Sequence, residues 1–170
     1  VLRTMGIENL IAVDGNDNRL AIAKTMGATR GFNFTQYPSF DAMLKEIKDA
    51  TDGLGAEFVF QCTGVAQAGA NAWKMIRRGG GLCEVGFFMD GGNCSINHHF
   101  DLCNKEVTAV GSWVYTPQDY PNTFAFLKRA AGIGLPVEKL VTHHFPLARI
   151  AEALEANVTM AGIKIAVVNS

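Results

Sequence analysis

"IAVDGNDNRLAIAKTMGA", residues 11–28, places three features in a row: a short apolar run ending on Asp14, the polar turn Gly15 to Asn18, and a helical pattern that stops at Gly27. The run is the length of a buried strand. Asn16 or Asp17 supplies the side-chain oxygen that caps a helix starting near Asp17, and Gly27 can take the left-handed conformation that closes it. The stretch therefore predicts strand, turn, helix, with a carboxylate at the strand's C-terminal end.

Working outward, the same alternation repeats. Val1 to Met5 reads as the tail of a helix closed by Gly6. A short extended piece near Phe32 to Phe34 leads to a helix opened by Ser39, with Phe40, Met43, Leu44 and Ile47 on one face and its end at Asp52-Gly53. "EFVFQCTG" (57–64) predicts a strand buried on both faces, and the following helix, through Ala70, Trp73 and Ile76, is expected to stop at Gly79-Gly80-Gly81. "LCEVG" (82–86) is the next strand, 89–97 a polar loop, and "EVTAVGSWV" (106–114) a further strand. Thr116-Pro117 suits the start of a helix that shows Tyr120, Phe124, Leu127 and Ala131 on one side. From Pro136 the character changes: "KLVTHHFPL", a helix around Ile150 to Leu154, and a last strand at 163–169. Strands alternating with helices predict an α/β domain built on a doubly wound parallel sheet.

In such a sheet, ligands lie outside the carboxyl ends of the strands. A carboxylate at Asp14 can accept hydrogen bonds from both ribose hydroxyls of an adenosine and would repel a 2′-phosphate, which favours NAD over NADP. The competing reading has Asp14 capping its own turn through Asn16. Arg19, five residues on, can lie along the adenosine edge or simply face water. Thr63-Gly64 and Val85-Gly86 are two more strand tips ending on glycine, where a ligand can approach the backbone without meeting a Cβ. Three tips in sequence, at Asp14, Gly64 and Gly86, carry more than any one.

Other chemistry is not written here. No G-x-G-x-x-G follows a strand, and there is no G-x-S-x-G, H-E-x-x-H or zinc-ligand set, so neither catalytic nor metal residues are assigned. Cys62, Cys83, Cys94 and Cys103 form no C-x-x-C pair and are expected to be reduced and mostly buried. The doublets His98-His99 and His143-His144 offer one ligand per face on extended backbone. With 15 basic and 16 acidic residues spread along the chain, nothing favours a nucleic acid or an anionic membrane as partner. No apolar run reaches a membrane span and no secretory signal pattern opens the chain, so a cytoplasmic location is expected.

The order VDGNDNRLAIAKTMGA, AEFVFQCTG, RRGGGLCEVG, KEVTAVGSWVY, VTHHFPLARIAEALE, IKIAVV resembles, from end to end, the zinc-dependent medium-chain dehydrogenase/reductase family, most of all its polyol and threonine dehydrogenase branch. The resemblance implies a Rossmann cofactor domain at residues 1–135 and, at 136–170, a segment returning to a catalytic domain. It implies hydride transfer from an alcohol or polyol to NAD in the intact protein, whose zinc ligands are not in this chain. It also implies that Asp14 and Arg19 hold the adenosine ribose, that Thr63 and Gly64 lie beside the adenine end, and that Val85, Gly86 and Phe87 flank the nicotinamide and its ribose. Ser112 and Val114 match positions whose backbone faces the carboxamide, and the edge near Gly111 to Tyr115 implies a homodimer.

The first Rossmann strand and its glycine turn have no counterpart, so the chain reads as a fragment with an incomplete sheet. That strand would be central, and losing about five buried residues forfeits on the order of 10 kcal/mol, comparable to a domain's whole net stability of roughly 5–15 kcal/mol. Either the two neighbouring strands close on each other or a second copy donates a strand. The pyrophosphate site goes with the missing turn, so NAD binding by this chain should be weak and catalysis absent. Two other readings stay open: a non-catalytic binding or oligomerisation module, and an S-adenosylmethionine-dependent methyltransferase, which also sets an acid at this strand tip.

Overall fold

The computed structural model describes residues 1–169. In chain order the elements are β1 (Ile11–Asp14), α1 (Asp17–Thr25), β2 (Arg30–Asn33), α2 (Phe40–Asp49), β3 (Ala56–Gln61), α3 (Ala66–Met75), β4 (Ile76–Glu84), β5 (Thr108–Gly111), α4 (Asp119–Gly132), β6 (Val141–Pro146), α5 (Ile150–Val158) and β7 (Lys164–Val168). Short 3-10 turns lie between them, with a π-helical turn at His98–Cys103. Every strand pair is parallel, as helical crossovers require. The chain divides into two compact units, one of Val1–Phe34 with the described residues from Pro117 onward, the other of Thr35–Thr116.

In the first unit, β1 pairs with β2 in the register Ile11 to Arg30 through Asp14 to Asn33. Leu20 of α1 and Phe32 of β2 are buried. The Asn33 amide donates to Asp17 Oδ1 at 2.7 Å, tying the end of β2 to the first turn of α1. β6 and β7 form a second pair, with α5 packed on both.

The second unit is a three-stranded sheet in the order β3-β4-β5. Helix α3 packs on β3 and β4, where Ala72, Ile76 and Leu82 form a core flanked by Val59, Trp73 and Val107. Helix α2 lies against α3 and buries Met43 and Ile47. Ser39 caps α2 through the Ala42 N–H at 3.2 Å, as the sequence suggests.

Several expectations need correction. Gly79 to Gly81 do not stop a helix: α3 ends at Met75 and the glycines lie inside β4. A Cβ at Gly80 would stand 2.6 Å from Ile76 Cγ2 and 2.9 Å from the Glu57 carbonyl, so glycine is what lets β4 press on β3 here. β3 is not buried on both faces, because its helix covers one face only, and Phe58 and Phe60 on the other are exposed. The strand read at 106–114 shortens to Thr108–Gly111. Helix α4 begins at Asp119 with no side-chain cap, so Thr116-Pro117 precedes it rather than opening it. Its predicted apolar face is exposed at Tyr120, Phe124 and Leu127. Cys62, Cys94 and Cys103 are exposed, not buried: Cys62 follows the end of β3, Cys94 lies in a loop and Cys103 ends the π-helical turn.

The strands form three separate sheets, and β1 does not pair with β3 among the described residues. Each instead pairs with the strand reached through its own short crossover, β1 with β2 and β3 with β4, the contacts with the smallest loop-closure cost.

Candidate functional site

Asp14 ends β1 and is half-buried. Its Oδ1 accepts the Asn16 N–H at 2.9 Å, so the turn-capping bond is made. Its second carboxylate oxygen has no hydrogen bond among the described residues, which leaves an acceptor for a ligand hydroxyl. Asn16 in turn caps α1, its Oδ1 accepting from the N–H groups of Asn18 at 2.9 Å and Arg19 at 3.4 Å. The first turn of α1 is thus fixed by side chains on both sides of Gly15. A Cβ at Gly15 would stand 2.6 Å from the Phe34 ring, so this glycine is required by packing.

Arg19 lies in that first turn and makes no ion pair among the described residues. With Asn16, Asn18, Met160 and Gly162 it lines a cavity of about 250 Å³. This is just below the range of roughly 300–1,000 Å³ for small-molecule sites, room for part of a dinucleotide. The side from Met160 to Ile163 is a contribution that sequence reasoning missed, because no local pattern links it to a turn some 140 residues earlier.

In the second unit, the tips of β3 and β4 are locked together. Val85 N–H donates to the Gln61 carbonyl at 3.0 Å, and Ser112 N–H to the Glu84 carbonyl at 2.9 Å. The Gln61 side chain, almost fully buried, holds the Thr63 turn, accepting the Thr63 N–H at 2.6 Å and donating to its carbonyl at 2.8 Å. Gly86 is buried against that turn: a Cβ there would fall well inside contact distance of the Thr63 backbone and Gln61 Oε1. Gly64 is open by comparison, with only the Gly86 carbonyl at 3.8 Å. Phe87 is half-buried with its ring against Gly69 of α3 and Gly91, while Val85, Ser112 and Val114 are exposed. Val114 has a φ of 47°, rare for a β-branched residue. The structure thus groups Thr63, Gly64, Val85, Gly86 and Ser112 at one end of a sheet, and Asp14 with Arg19 at the end of another.

Glu84, beside this cluster, was not singled out from sequence. One of its carboxylate oxygens is buried without a partner among the described residues. Burial pushes its carboxyl above the usual range, partly offset by the Gly86 N–H. Although Cys62 is exposed as a residue, partial desolvation of its thiol and then Cys83 and Glu84 push that thiol up from its ordinary value. No three His, Cys, Asp or Glu residues cluster as a metal-binding group among the described residues. None of their helices is long and apolar enough to cross a membrane.

Known proteins give this geometry a context. Sorbitol dehydrogenase 1 of Saccharomyces cerevisiae is 29% identical over 164 residues, 95% of this chain and 44% of that protein. Sorbitol dehydrogenase of Bacillus subtilis is 30% identical over 153 residues, 90% of this chain and 40% of that protein. An alcohol dehydrogenase from Thermotoga maritima superposes with a TM-score of 0.89 at 28% identity, covering 99% of this chain and 45% of that one. The chain spans less than half the length of these relatives, and the alcohol dehydrogenase neighbour carries the Rossmann-like α/β fold. The family described as zinc-binding dehydrogenase matches residues 1–129, most of the sequence, and the chain belongs to that family.

Proposed function

We propose that this chain is the cofactor-binding part of a zinc-dependent oxidoreductase that transfers hydride from an alcohol or polyol to NAD. The observation that carries the reading is Asp14: a half-buried carboxylate at a strand tip, with one oxygen anchored to its turn and the other available, followed by Arg19 at the rim of a polar cavity. That arrangement suits the two hydroxyls of an adenosine ribose and disfavours a 2′-phosphate. NAD, when bound, supplies the hydride acceptor. The residues of this chain position it: Asp14 and Arg19 at the adenosine ribose, Thr63 and Gly64 beside the adenine, Val85, Gly86 and Phe87 along the nicotinamide and its ribose, and the backbone of Ser112 and Val114 toward the carboxamide. The zinc would be held outside these residues.

Residues 1–135 then form the cofactor domain and 136–170 the segment that returns to a catalytic domain, in a cytoplasmic protein that dimerises along the edge at Gly111 to Tyr115. The names of the relatives, sorbitol dehydrogenases among them, support a polyol substrate.

Saturation-transfer NMR of this chain with NAD, NADP and S-adenosylmethionine at millimolar concentration tests the reading. Weak NAD binding seen at the adenosine ribose protons, reduced for NADP and lost in Asp14→Ala, is expected. Transfer to S-adenosylmethionine instead would favour the methyltransferase, and silence toward all three a binding module.

A further inference from the structure

Two residues separate Asp14 from the start of α1, and the turn they make is closed on itself. Asp14 Oδ1 accepts the Asn16 N–H at 2.9 Å, and Asn16 Oδ1 accepts the N–H groups of Asn18 at 2.9 Å and Arg19 at 3.4 Å. A helix N-terminus ordinarily offers such N–H groups, with the positive end of its dipole, to an anion. In α1 the N–H groups of residues 16, 18 and 19 are already bonded inside the turn. Asp17 adds a carboxylate to the first helical turn, and its Oδ1 accepts the Asn33 amide at 2.7 Å. Asn33 ends β2 and is buried, so the Asp17 carboxylate is anchored to the strand rather than free to swing away. Residues 14–19 thus hold two acids, Asp14 and Asp17, against one cation, Arg19.

We propose that Asn16 and Asp17 are specificity-determining residues of the adenosine site, which exclude a 2′-phosphate by a route separate from Asp14. The inference rests on the NAD reading above. A phosphate on a ribose hydroxyl held by Asp14 is brought to the opening of α1, because Asp14 is itself bonded to the N–H of the cap residue. There it meets donors that Asn16 has already taken and a fixed negative charge at Asp17, which also offsets Arg19. A phosphate monoester carries a charge of about −1.5 to −2 at neutral pH, and it would give up its water with no donor in return. Asp14 accounts for the grip on the ribose hydroxyls. Asn16 and Asp17 account for the refusal of the phosphate, so a small neutral residue at position 14 does not by itself create an NADP site.

Two ligands that differ only in that phosphate, 5′-AMP and adenosine 2′,5′-bisphosphate, measure the discrimination by NMR titration of this chain at low salt. The wild type is expected to bind 5′-AMP about tenfold more tightly. Asp17→Asn, which keeps an oxygen for the Asn33 amide, should lower that ratio about fivefold by removing one charge. Asn16→Gly, a change that helix caps tolerate well, should lower it about threefold by freeing two N–H groups. Asn16→Asp keeps the cap oxygen and should not lower it. Asp14→Ser should weaken 5′-AMP yet leave the bisphosphate the poorer ligand, and only the triple variant Asp14→Ser, Asn16→Gly, Asp17→Asn should prefer the bisphosphate. Thermal unfolding checks that each variant folds, and Asp17→Asn decides the matter if Asn16→Gly does not. A wild type that ignores 5′-AMP overturns the NAD reading and this inference with it. Binding of 5′-AMP with a ratio that Asp17→Asn leaves unmoved, equal weakening of both ligands, or a preference for the bisphosphate in Asp14→Ser alone overturns this inference only.

Discussion

Gly86→Ala separates two reasons for a glycine at a strand tip. If Gly86 serves only the approach of a cofactor, adding a methyl group leaves the ligand-free protein as stable as before. The structure predicts otherwise. The new Cβ would overlap the backbone of Thr63 and Gln61 Oε1, and the turn cannot move aside without breaking the paired bonds that the Gln61 side chain makes to Thr63. Overpacking of this kind costs about 1–3 kcal/mol, and here the neighbour is mainly backbone, so the upper half of that range is expected. For a chain of this size each kcal/mol lowers Tm by roughly 2–4 °C, a fall of about 4–12 °C. Gly64→Ala is the control: its Cβ would meet nothing closer than the Gly86 carbonyl at 3.8 Å, and the change should stay within about 0.5 kcal/mol. Urea and thermal unfolding of both variants, without ligand, provide the measurement. Equal stability of Gly86→Ala and wild type would refute the packing argument and return Gly86 to the cofactor alone.

Two further perturbations follow from the same surroundings. Asn16→Ala removes the side chain that accepts from Asn18 and Arg19, and should cost about 1 kcal/mol in chemical denaturation, the usual worth of a helix cap. Glu84→Gln should stabilise the protein at neutral pH by about 1 kcal/mol, the low end for an unsatisfied buried group. Because burial raises the Glu84 carboxyl in the folded state, the folded form holds its proton more tightly than the unfolded chain. Its contribution to stability is complete below the ordinary carboxylate pKa and is lost as pH rises through the raised one. The advantage of the glutamine variant should therefore shrink as pH is lowered through that window; an advantage that grew toward acid would contradict the assignment.

Much of the fold was legible along the chain because its signals are local. The cap at Asn16, the left-handed Gly27 and the face of Met43 and Ile47 each follow from neighbours a turn away. The triple glycine was misread for the same reason: glycines that end helices and glycines that admit a close strand look alike, and only the Glu57 carbonyl against Gly80 distinguishes them. At the candidate site, the acid at the strand tip was visible, but its divided role was not, since the bond to Asn16 and the second oxygen left available are matters of geometry.

By itself, the sequence determined the alternation of strands and helices, the parallel sense it imposes, and the positions of the three strand tips, all set by periodicity and turn chemistry within a few residues. Only the tertiary structure decided which strands pair, that Phe58 and Phe60 of β3 are exposed, and that one carboxylate oxygen of Glu84 is buried. Pairing and burial depend on residues distant in the chain competing for the same surface, and a linear pattern does not record the outcome of that competition.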